Sequence, residues 1–377
     1  MKIETVLAHA GLCTDKTTGA VSTPIHQTAT FRHPALGVST GYDYSRTVNP
    51  TRQALERVMA ELETGDRGFA FASGMAAITA ILTSLSAGDH VIVSDDLYGG
   101  TYRVFEKCFR KFNVTATYVD TSNPVAVEEA LMAGRTRAVF VETPTNPLMK
   151  ITDLEAMVLL ARAHRLLTIV DNTFMTPYFQ RPLEFGVDVV VHSGTKYLGG
   201  HNDVLSGTVV TRTAELSETI GFIQNSTGAV LGPQDSWLML RGIKTLKARM
   251  ELQQQSAMEV ARWLKRQPWV SEVYYPGLPD HPGHDLIKTQ ASGFGAVLSF
   301  KTNTVERARQ IMKHVRLWSV AVSLGGVESI LSYPVRMSHA AIPAAERERL
   351  GITDNLIRLS VGLEETSDLI ADLEGKV

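Results

Sequence analysis

The chain has 377 residues, of which 44% are apolar and 20% charged, and its formal charge is −2. This composition is typical of a globular protein of two or three domains. The balanced charge argues against binding to nucleic acid or to an anionic membrane through a basic surface. Two cysteines, Cys13 and Cys108, are too few and too far apart for a disulfide framework or a cysteine metal site. With no apolar signal segment at the N-terminus, the sequence predicts a cytoplasmic protein.

The first 47 residues show weak periodicity and many turn-forming residues, which predicts an extended arm that packs on another surface. A helix then begins at Asn49-Pro50, which suit its cap and first position, and ends near Gly65. Beyond it, short apolar strands alternate with helical segments, and the strands are FAFAS, HVIVSD, TATYVD, AVFVET, LLTIVDNTF and VDVVVHSG. Such alternation predicts an α/β fold with a mainly parallel sheet covered by helices on both faces.

The last part of the chain has a different pattern. A long amphipathic stretch from Asp235 to about Arg266 precedes strand and helix patterns such as FGAVLSF and VERARQIMKHV. We therefore predict an arm (1–47), a ligand-binding domain (48–234) and a smaller α+β domain (235–377) joined through a long helix. In RVFEKCFRKF, helical spacing places Cys108 on the face of Val104 and Phe105, which predicts a packing role for it.

Ligands of parallel sheets bind beyond the carboxyl ends of the strands, so these ends are the candidate site. The turn Ser73-Gly74-Met75 opens a helix whose free backbone N–H groups suit a phosphate, although an ordinary tight turn is an alternative. Tyr98 precedes two glycines and either stacks on a planar ligand or anchors the turn.

Charged residues end two further strands. Asp171 leaves an apolar strand, and a buried carboxylate there must be hydrogen-bonded or paired with a cation. Lys196 follows VDVVVHSG and, taken alone, marks where a strand meets water. An acid, a lysine, a phosphate-sized anion site and a stacking ring are together the parts that a pyridoxal phosphate enzyme uses.

Nine motifs support this interpretation from end to end of the chain: YDYSRTVNPT, ASGMAA, DDLYGGTYR, ETPTNP, VDNTF, HSGTKYLGGH, NSTGAVLGPQDSW, SLGGVES and IRLSVGLE. With them the chain resembles the pyridoxal phosphate enzymes of cysteine and methionine metabolism, which include the cystathionine β-lyases, γ-lyases and γ-synthases and methionine γ-lyase. The resemblance implies the fold type I of pyridoxal phosphate-dependent transferases, with a mainly parallel seven-stranded sheet between helices.

The resemblance also implies the residues that bind the cofactor, pyridoxal 5'-phosphate. Lys196 would attach it and then move protons, Tyr98 would stack on its ring and assist proton transfer, and Asp171 would pair with its ring nitrogen. Its phosphate would be held by Gly74, Met75, Ser193 and Thr195, together with Tyr44 and Arg46 of a neighbouring subunit. The arm would therefore pack on a partner, which implies a homo-oligomer, a dimer of dimers.

Arg358 in IRLSVGLE would bind the α-carboxylate of a small sulfur amino acid, with help from Asn146 and Ser323. The alternation of Ile357 and Leu359 to one face of a strand leaves Arg358 on the other face.

Two positions bear on which reaction the chain performs. Cystathionine γ-synthases and γ-lyases commonly have a glutamate where this chain has Val322, and methionine γ-lyases have a cysteine at the position of Gly100. A carboxylate can bind the distal amino group of cystathionine and a valine cannot. We therefore predict a cystathionine β-lyase, with γ-lyase as the first alternative, followed by γ-synthase and methionine γ-lyase. Asn202, where relatives often have serine, has no predicted effect.

Two other classes of function are weakly supported. A non-catalytic relative that binds metabolites is disfavoured because every chemical position is filled. His192 and His201 straddle a turn without an accompanying cysteine or acid cluster, so we predict hydrogen-bonded structural histidines and no metal site.

Overall fold

The computed structural model describes residues 1–12 and 15–377, so Cys13 lies outside the described residues. Seven strands form a large sheet: β1 (Arg67–Phe71), β2 (His90–Ser94), β3 (Thr115–Val119), β4 (Thr136–Glu142), β5 (Leu167–Asp171), β6 (Val189–Ser193) and β7 (Gly207–Thr211). Their spatial order is β1-β7-β6-β5-β4-β2-β3. Only β7 runs antiparallel to its neighbours, β1 and β6, while the other pairs are parallel. The predicted mainly parallel sheet is confirmed, although the sequence pattern did not mark β7 as a strand.

Eight helices lie in the same part of the chain: α1 (Ile3–Ala8), α2 (Pro50–Glu63), α3 (Gly74–Thr83), α4 (Gly99–Lys107), α5 (Pro124–Glu129), α6 (Leu154–Ala163), α7 (Thr176–Phe179) and α8 (Ala214–Thr227). Short 3-10 helices span Phe109–Phe112, Pro182–Phe185 and Pro334–Arg336. The start of α2 agrees with its sequence signal, because Oδ1 of Asn49 accepts from the backbone N–H groups of Thr51 and Arg52. The helix ends at Glu63, and its C-cap residue, Thr64, has a φ of 60°.

The remaining chain contains six more helices and a smaller sheet. The helices are α9 (Pro233–Ile243), α10 (Leu246–Leu264), α11 (His284–Gln290), α12 (Val305–His314), α13 (Ala344–Leu350) and α14 (Thr366–Glu374). The strands are β8 (Val270–Tyr274), β9 (Val297–Thr302), β10 (Ser319–Val320), β11 (Ile330–Ser332) and β12 (Leu356–Ser360), arranged as β10-β11-β12-β9-β8. The boundaries at 47/48 and 234/235 stay predictions.

The structure corrects two expectations about helices. Cys108 is exposed, so its predicted packing role is wrong. Cys108 is the C-cap of α4, with its backbone N–H bonded to the carbonyl oxygen of Val104, and the burial of Val104 and Phe105 does not extend to it. The predicted long helix after Asp235 is two helices, α9 and α10, with a turn at Lys244 and Thr245 between them.

After α1, residues 15–49 of the arm contain no helix or strand. Isolated antiparallel bridges pair Thr30 with Tyr44 and Ala35 with Val38, so this part of the arm folds back on itself. Its end is fixed to the body by the buried Arg52, whose guanidinium donates to the carbonyl oxygens of Ser45, Arg46 and Thr47. Leu36 in the arm is fully exposed. No helix in the described part of the chain is long and apolar enough to cross a membrane.

Candidate active site

A cavity of about 180 Å³ opens at the carboxyl ends of β4, β5 and β6. Parallel strands present these ends at one edge of the sheet, which is where the sequence placed the candidate residues. Of the predicted residues, the cavity is lined by Gly74, Met75, Tyr98, Asn146, Asp171, Ser193, Thr195 and Lys196. Its other lining residues are Ser73, Ile78, Glu142, Thr173, Phe174, Val191, Leu205 and Leu324.

The N-terminus of α3 forms one end of the cavity. The side chain of Ser73 accepts a hydrogen bond from the backbone N–H of Ala76, at 3.1 Å. A Cβ on Gly74 would lie 2.9 Å from the Cβ of Ser193, so only glycine lets this turn approach β6 so closely. The first N–H groups of a helix have no partner within it and favour an anion. This end of the cavity therefore fits a phosphate group.

Thr195 lies beside this end, but its hydroxyl is already engaged. It donates to the carbonyl oxygen of Ser206 at 3.2 Å and accepts from the backbone N–H of the same residue at 3.0 Å. Thr195 can therefore donate to a phosphate only if its hydroxyl turns away from the carbonyl oxygen of Ser206.

Asp171 lies at the end of β5 and is 8% exposed. The backbone N–H and the hydroxyl of Thr173 donate to its carboxylate. The pKa of this carboxyl is raised, because the effect of burial exceeds the opposing effects of the two Thr173 hydrogen bonds and the nearby His192. No lysine or arginine of the described residues is paired with it, so a protonated ring nitrogen is the kind of partner that this buried carboxylate lacks.

Lys196 lies just beyond β6, and its Nζ donates to Oγ of Ser323 at 2.6 Å. Burial, followed by the positive charge of Arg358, lowers the pKa of Lys196 to about 8. Part of the lysine is therefore uncharged near neutral pH, as a nucleophile or a base must be.

Tyr98 lies at the cavity edge, 40% exposed, and Gly100 lies directly behind it. The backbone N–H of Tyr98 donates to Oε2 of Glu142 at 2.9 Å. A Cβ on Gly100 would lie 2.3 Å from Cε1 of the Tyr98 ring. Any side chain at position 100 must therefore displace the ring, which is a physical reason for glycine there.

Arg358 is in direct contact with both Asn146 and Ser323. Arg358 is 2% exposed, and it donates through Nη1 to Oδ1 of Asn146 at 2.9 Å and through Nη2 to the carbonyl oxygen of Ser323 at 2.7 Å. Burial lowers the pKa of Arg358 to about 10. Its Nε–H has no partner among the described residues. A buried guanidinium with a spare donor fits a carboxylate ligand.

Val322 lies outside the cavity, 62% exposed, in an adjoining cleft of about 600 Å³. Asp203 and Glu328 line the same cleft. Nδ2 of Asn202 donates to Oε2 of Glu328 at 2.7 Å. Asn202 therefore links the loop after Lys196 to the loop after Val322, a contact that the sequence did not indicate.

Tyr44 and Arg46 lie in the arm and line neither the cavity nor the cleft. The Arg46 guanidinium lies 5.2 Å from the centre of the Tyr44 ring. Their predicted role in the site of a neighbouring subunit stays a prediction.

Sequence reasoning missed several residues that hold the site together. The Thr173 hydroxyl accepts from the backbone N–H of Ser193 at 2.9 Å while donating to Asp171. Nε2 of His339 lies 2.8 Å from the carbonyl oxygen of Asn146 and 3.1 Å from that of Leu97. A threonine two residues after an acid is a usable turn signal, but His339 is far away in sequence and carries none.

The two histidines near the turn are hydrogen-bonded, as predicted. His192 contacts Glu63, and Nδ1 of His201 lies 2.7 Å from the carbonyl oxygen of Gly199. Among residues 1–12 and 15–377, no group of three or more His, Cys, Asp or Glu residues is arranged to hold a metal ion.

Comparison with known proteins agrees with this geometry. Residues 4–376 match the family of Cys/Met metabolism PLP-dependent enzymes. The chain is 54% identical to a cystathionine gamma-lyase of Bacillus subtilis, covering 99% of this chain and 98% of that one. It is 50% identical to a cystathionine beta-lyase of Lactococcus lactis subsp. cremoris, with the same coverage.

A solved structure shows the same fold. The cystathionine gamma-lyase of Lactobacillus plantarum, complexed with L-serine, superimposes with a TM-score of 0.97 at 49% identity and covers 100% of this chain and 98% of its own. The chain therefore has the fold type I of pyridoxal phosphate-dependent enzymes, and it is a member of the Cys/Met metabolism family, whose cofactor is pyridoxal phosphate.

Proposed function

We propose that the protein is a cystathionine β-lyase, which cleaves L-cystathionine to homocysteine, pyruvate and ammonia. The observation that carries the choice of reaction is Val322, which stands 62% exposed at the cleft beside the cavity. It presents no carboxylate where the γ-enzymes of the family commonly have one. An apolar side chain cannot form an ion pair with the distal amino group of cystathionine.

The substrate α-carboxylate binds at Arg358 in this proposal. Its guanidinium is held in place by Asn146 and by the carbonyl of Ser323, and the Nε–H remains to donate. Charge-assisted hydrogen bonds of this kind are short and directional, so they orient the Cα–H bond as well as providing affinity.

Bound pyridoxal phosphate supplies the acceptor for the electrons that are freed at the substrate Cα. The carboxylate of Asp171 would hold a proton on the ring nitrogen of the bound cofactor, because a buried anion favours a positively charged partner. The N-terminus of α3, with the hydroxyls of Ser193 and Thr195, binds the phosphate group.

Lys196 and Tyr98 move protons. The amine of Lys196, whose pKa is lowered to about 8, takes the proton from Cα. The Cβ–S bond then breaks, and its electron pair leaves with sulfur as the thiolate of homocysteine, which takes up a proton. Water hydrolyses the unsaturated three-carbon amine that remains to pyruvate and ammonia. Tyr98, at the edge of the cavity, would stack on the ring of the bound cofactor and offer a second hydroxyl for proton transfer.

A cystathionine γ-lyase is the second candidate, and a specific observation favours it. Asp203 and Glu328 line the cleft next to Val322, and Glu328 is oriented by Asn202. Either carboxylate offers a charge for the distal amino group. Departure of sulfur from Cγ requires a second proton to be removed, from Cβ.

Product analysis separates the two reactions. The purified holoenzyme is incubated with L-cystathionine, and the products are identified by mass spectrometry. Homocysteine with pyruvate supports the proposal, whereas cysteine with 2-oxobutyrate shows that the argument from Val322 fails. Absence of any product, with bound cofactor verified, would favour a non-catalytic relative.

The arm supports a proposed homo-oligomer, built as a dimer of dimers, in which Tyr44 and Arg46 complete a neighbouring site. Mixing Arg46→Ala and Lys196→Ala variants tests this. Each variant alone should have little activity, and mixed dimers regain one intact site, so we expect roughly a quarter of wild-type activity from random pairing of equal amounts. No recovery after verified subunit exchange contradicts a shared site.

A further inference from the structure

A buried hydrogen-bonded cluster joins the ends of β5 and β6 beneath the cavity, and Glu63 is at its centre. Glu63 is the last residue of α2, and its side chain and that of His192 are both 0% exposed. Oε1 of Glu63 lies 2.6 Å from Nε2 of His192 and 3.0 Å from Nδ2 of Asn172. This oxygen also accepts from the amide of Asn172, and because an ionised carboxylate can only accept, the carboxylate form of Glu63 pairs with the tautomer of His192 that carries its proton on Nε2.

The two residues that Glu63 holds adjoin two proposed cofactor ligands. Asn172 directly follows Asp171, and His192 directly precedes Ser193. On the cavity side, Thr173 connects the same two ligands, since its hydroxyl donates to Asp171 and accepts from the backbone N–H of Ser193. The spacing between Asp171 and Ser193 is therefore fixed from two sides.

The arrangement is unfavourable as a device for stability alone. Oε2 of Glu63 and Nδ1 of His192 are buried without a hydrogen-bond partner among the described residues. A carboxylate in this environment loses its hydration, and an apolar pair of similar volume would pack the same space without that cost. What the carboxylate adds is a single atom that fixes two strand ends at once.

We propose that Glu63 is a positioning residue for the cofactor, and that by holding Asn172 and His192 it fixes the spacing at which Asp171 and Ser193 receive the ring nitrogen and the phosphate. The inference rests on the cofactor roles proposed above for these two ligands. The covalent structure of the cofactor limits the distance between its ring nitrogen and its phosphate. A change in the spacing of Asp171 and Ser193 therefore weakens the contact with one or the other.

The test is the affinity for pyridoxal phosphate of the full-length protein, measured by equilibrium dialysis after resolution of the cofactor. For Glu63→Ala we expect a dissociation constant raised on the order of tenfold or more and a weaker visible circular dichroism band of the bound cofactor. Glu63→Gln keeps an oxygen that accepts from both donors, so its affinity should stay close to the wild-type value. Retained affinity in Glu63→Gln would show that the hydrogen bonds of residue 63 matter for cofactor binding and its negative charge does not.

Asp188→Ala is the matched control. Asp188 joins the opposite ends of the same two strands, where its Oδ2 accepts from the backbone N–H and the hydroxyl of Thr168, each at 2.9 Å. Its loss should lower the melting temperature without changing cofactor affinity. If Glu63→Ala lowers only the melting temperature, or if both variants weaken cofactor binding equally, the proposal is overturned.

Three further variants keep the outcome interpretable. Should Glu63→Ala fail to fold, His192→Ala removes only the donor from β6 and should raise the dissociation constant to a smaller extent; an unchanged value contradicts the proposal. Asp171→Asn and Ser193→Ala test the underlying roles. If they leave cofactor affinity unchanged, the proposed ligands are wrong; if they weaken it while Glu63→Ala does not, only the role of Glu63 is wrong.

Discussion

The floor of the cavity, where Asp171 and Lys196 lie, and the adjoining cleft at Val322, here called the entrance, differ in how firmly their side chains are held. On the floor, Asp171 is 8% exposed and hydrogen-bonded through Thr173 to the neighbouring strand. At the entrance, Val322 is 62% exposed, and the acidic residues Asp203 and Glu328 beside it are exposed as well. The groups to which the proposal assigns the chemistry are thus built into the fold, whereas those proposed to select the substrate lie where substitution costs the fold little.

The largest effect should come from the floor, at Lys196. We expect Lys196→Ala to reduce the rate of product release from L-cystathionine about 10²–10⁴-fold, because the proton-transferring amine is lost. The long-wavelength absorbance of covalently attached cofactor should disappear with it. Lys247→Ala, which changes an exposed lysine, serves as the control. Retained absorbance and activity in Lys196→Ala would refute the assignment of this lysine.

Arg358→Lys tests the proposed binding of the substrate α-carboxylate. The charge remains, but the planar fork that contacts Asn146 and Ser323 is lost. With one charge-assisted hydrogen bond worth about 1.5–3 kcal/mol, kcat/KM should fall about 10–100-fold, mainly through a higher KM. Steady-state kinetics with L-cystathionine measure the effect, and an unchanged KM argues that the α-carboxylate binds elsewhere.

The lowered pKa of Lys196 predicts how attachment of the cofactor depends on pH. Only the uncharged amine is a nucleophile, so the initial rate at which the cofactor-free protein takes up pyridoxal phosphate should rise with pH and level off above about 8. Well below that pH the rate should fall about tenfold per pH unit. Stopped-flow absorbance follows the reaction, and a rate that keeps rising toward pH 10 would mean that burial does not lower this pKa.

Gly100→Ala tests whether the position of the Tyr98 ring at the cavity edge matters for activity. Alanine in a helix is ordinarily more favourable than glycine by about 0.5–1 kcal/mol, yet here its Cβ would meet the Tyr98 ring at 2.3 Å. We expect a loss of activity on the order of tenfold from the displaced ring, with no comparable loss of thermal stability. Activity equal to wild type indicates that Tyr98 does not need its present position.

The smallest effect should be at the entrance. Val322→Glu adds a carboxylate at an exposed position, where an ion pair is worth about 0.2–1 kcal/mol, so the ratio of 2-oxobutyrate to pyruvate should rise by about fivefold at most. Val322→Gln has the same shape without the charge and should leave the ratio near its wild-type value. An equal change in both variants would mean that size, and not charge, acts at this position.

The sequence was most informative where a local pattern has a single physical meaning. Asn49 and Pro50 mark the start of α2, and the apolar runs that end at Asp171 and Ser193 form adjacent strands. Because parallel strands end at one edge, the candidate residues from four separate segments could be placed in one cavity before any distance was known. The same reasoning failed at Cys108, where the helix changes to a 3-10 turn and its periodicity ends.

The sequence by itself determined the family, the cofactor and the strand ends that meet in the cavity, because these follow from local patterns and from motifs along the whole chain. Only the tertiary structure decided how those residues are held: Arg358 against Asn146, Lys196 against Ser323, and Glu63 beneath both strand ends. Each contact joins residues more than 100 positions apart. No local periodicity encodes such pairs, since they depend on how two sheets and their helices pack against one another.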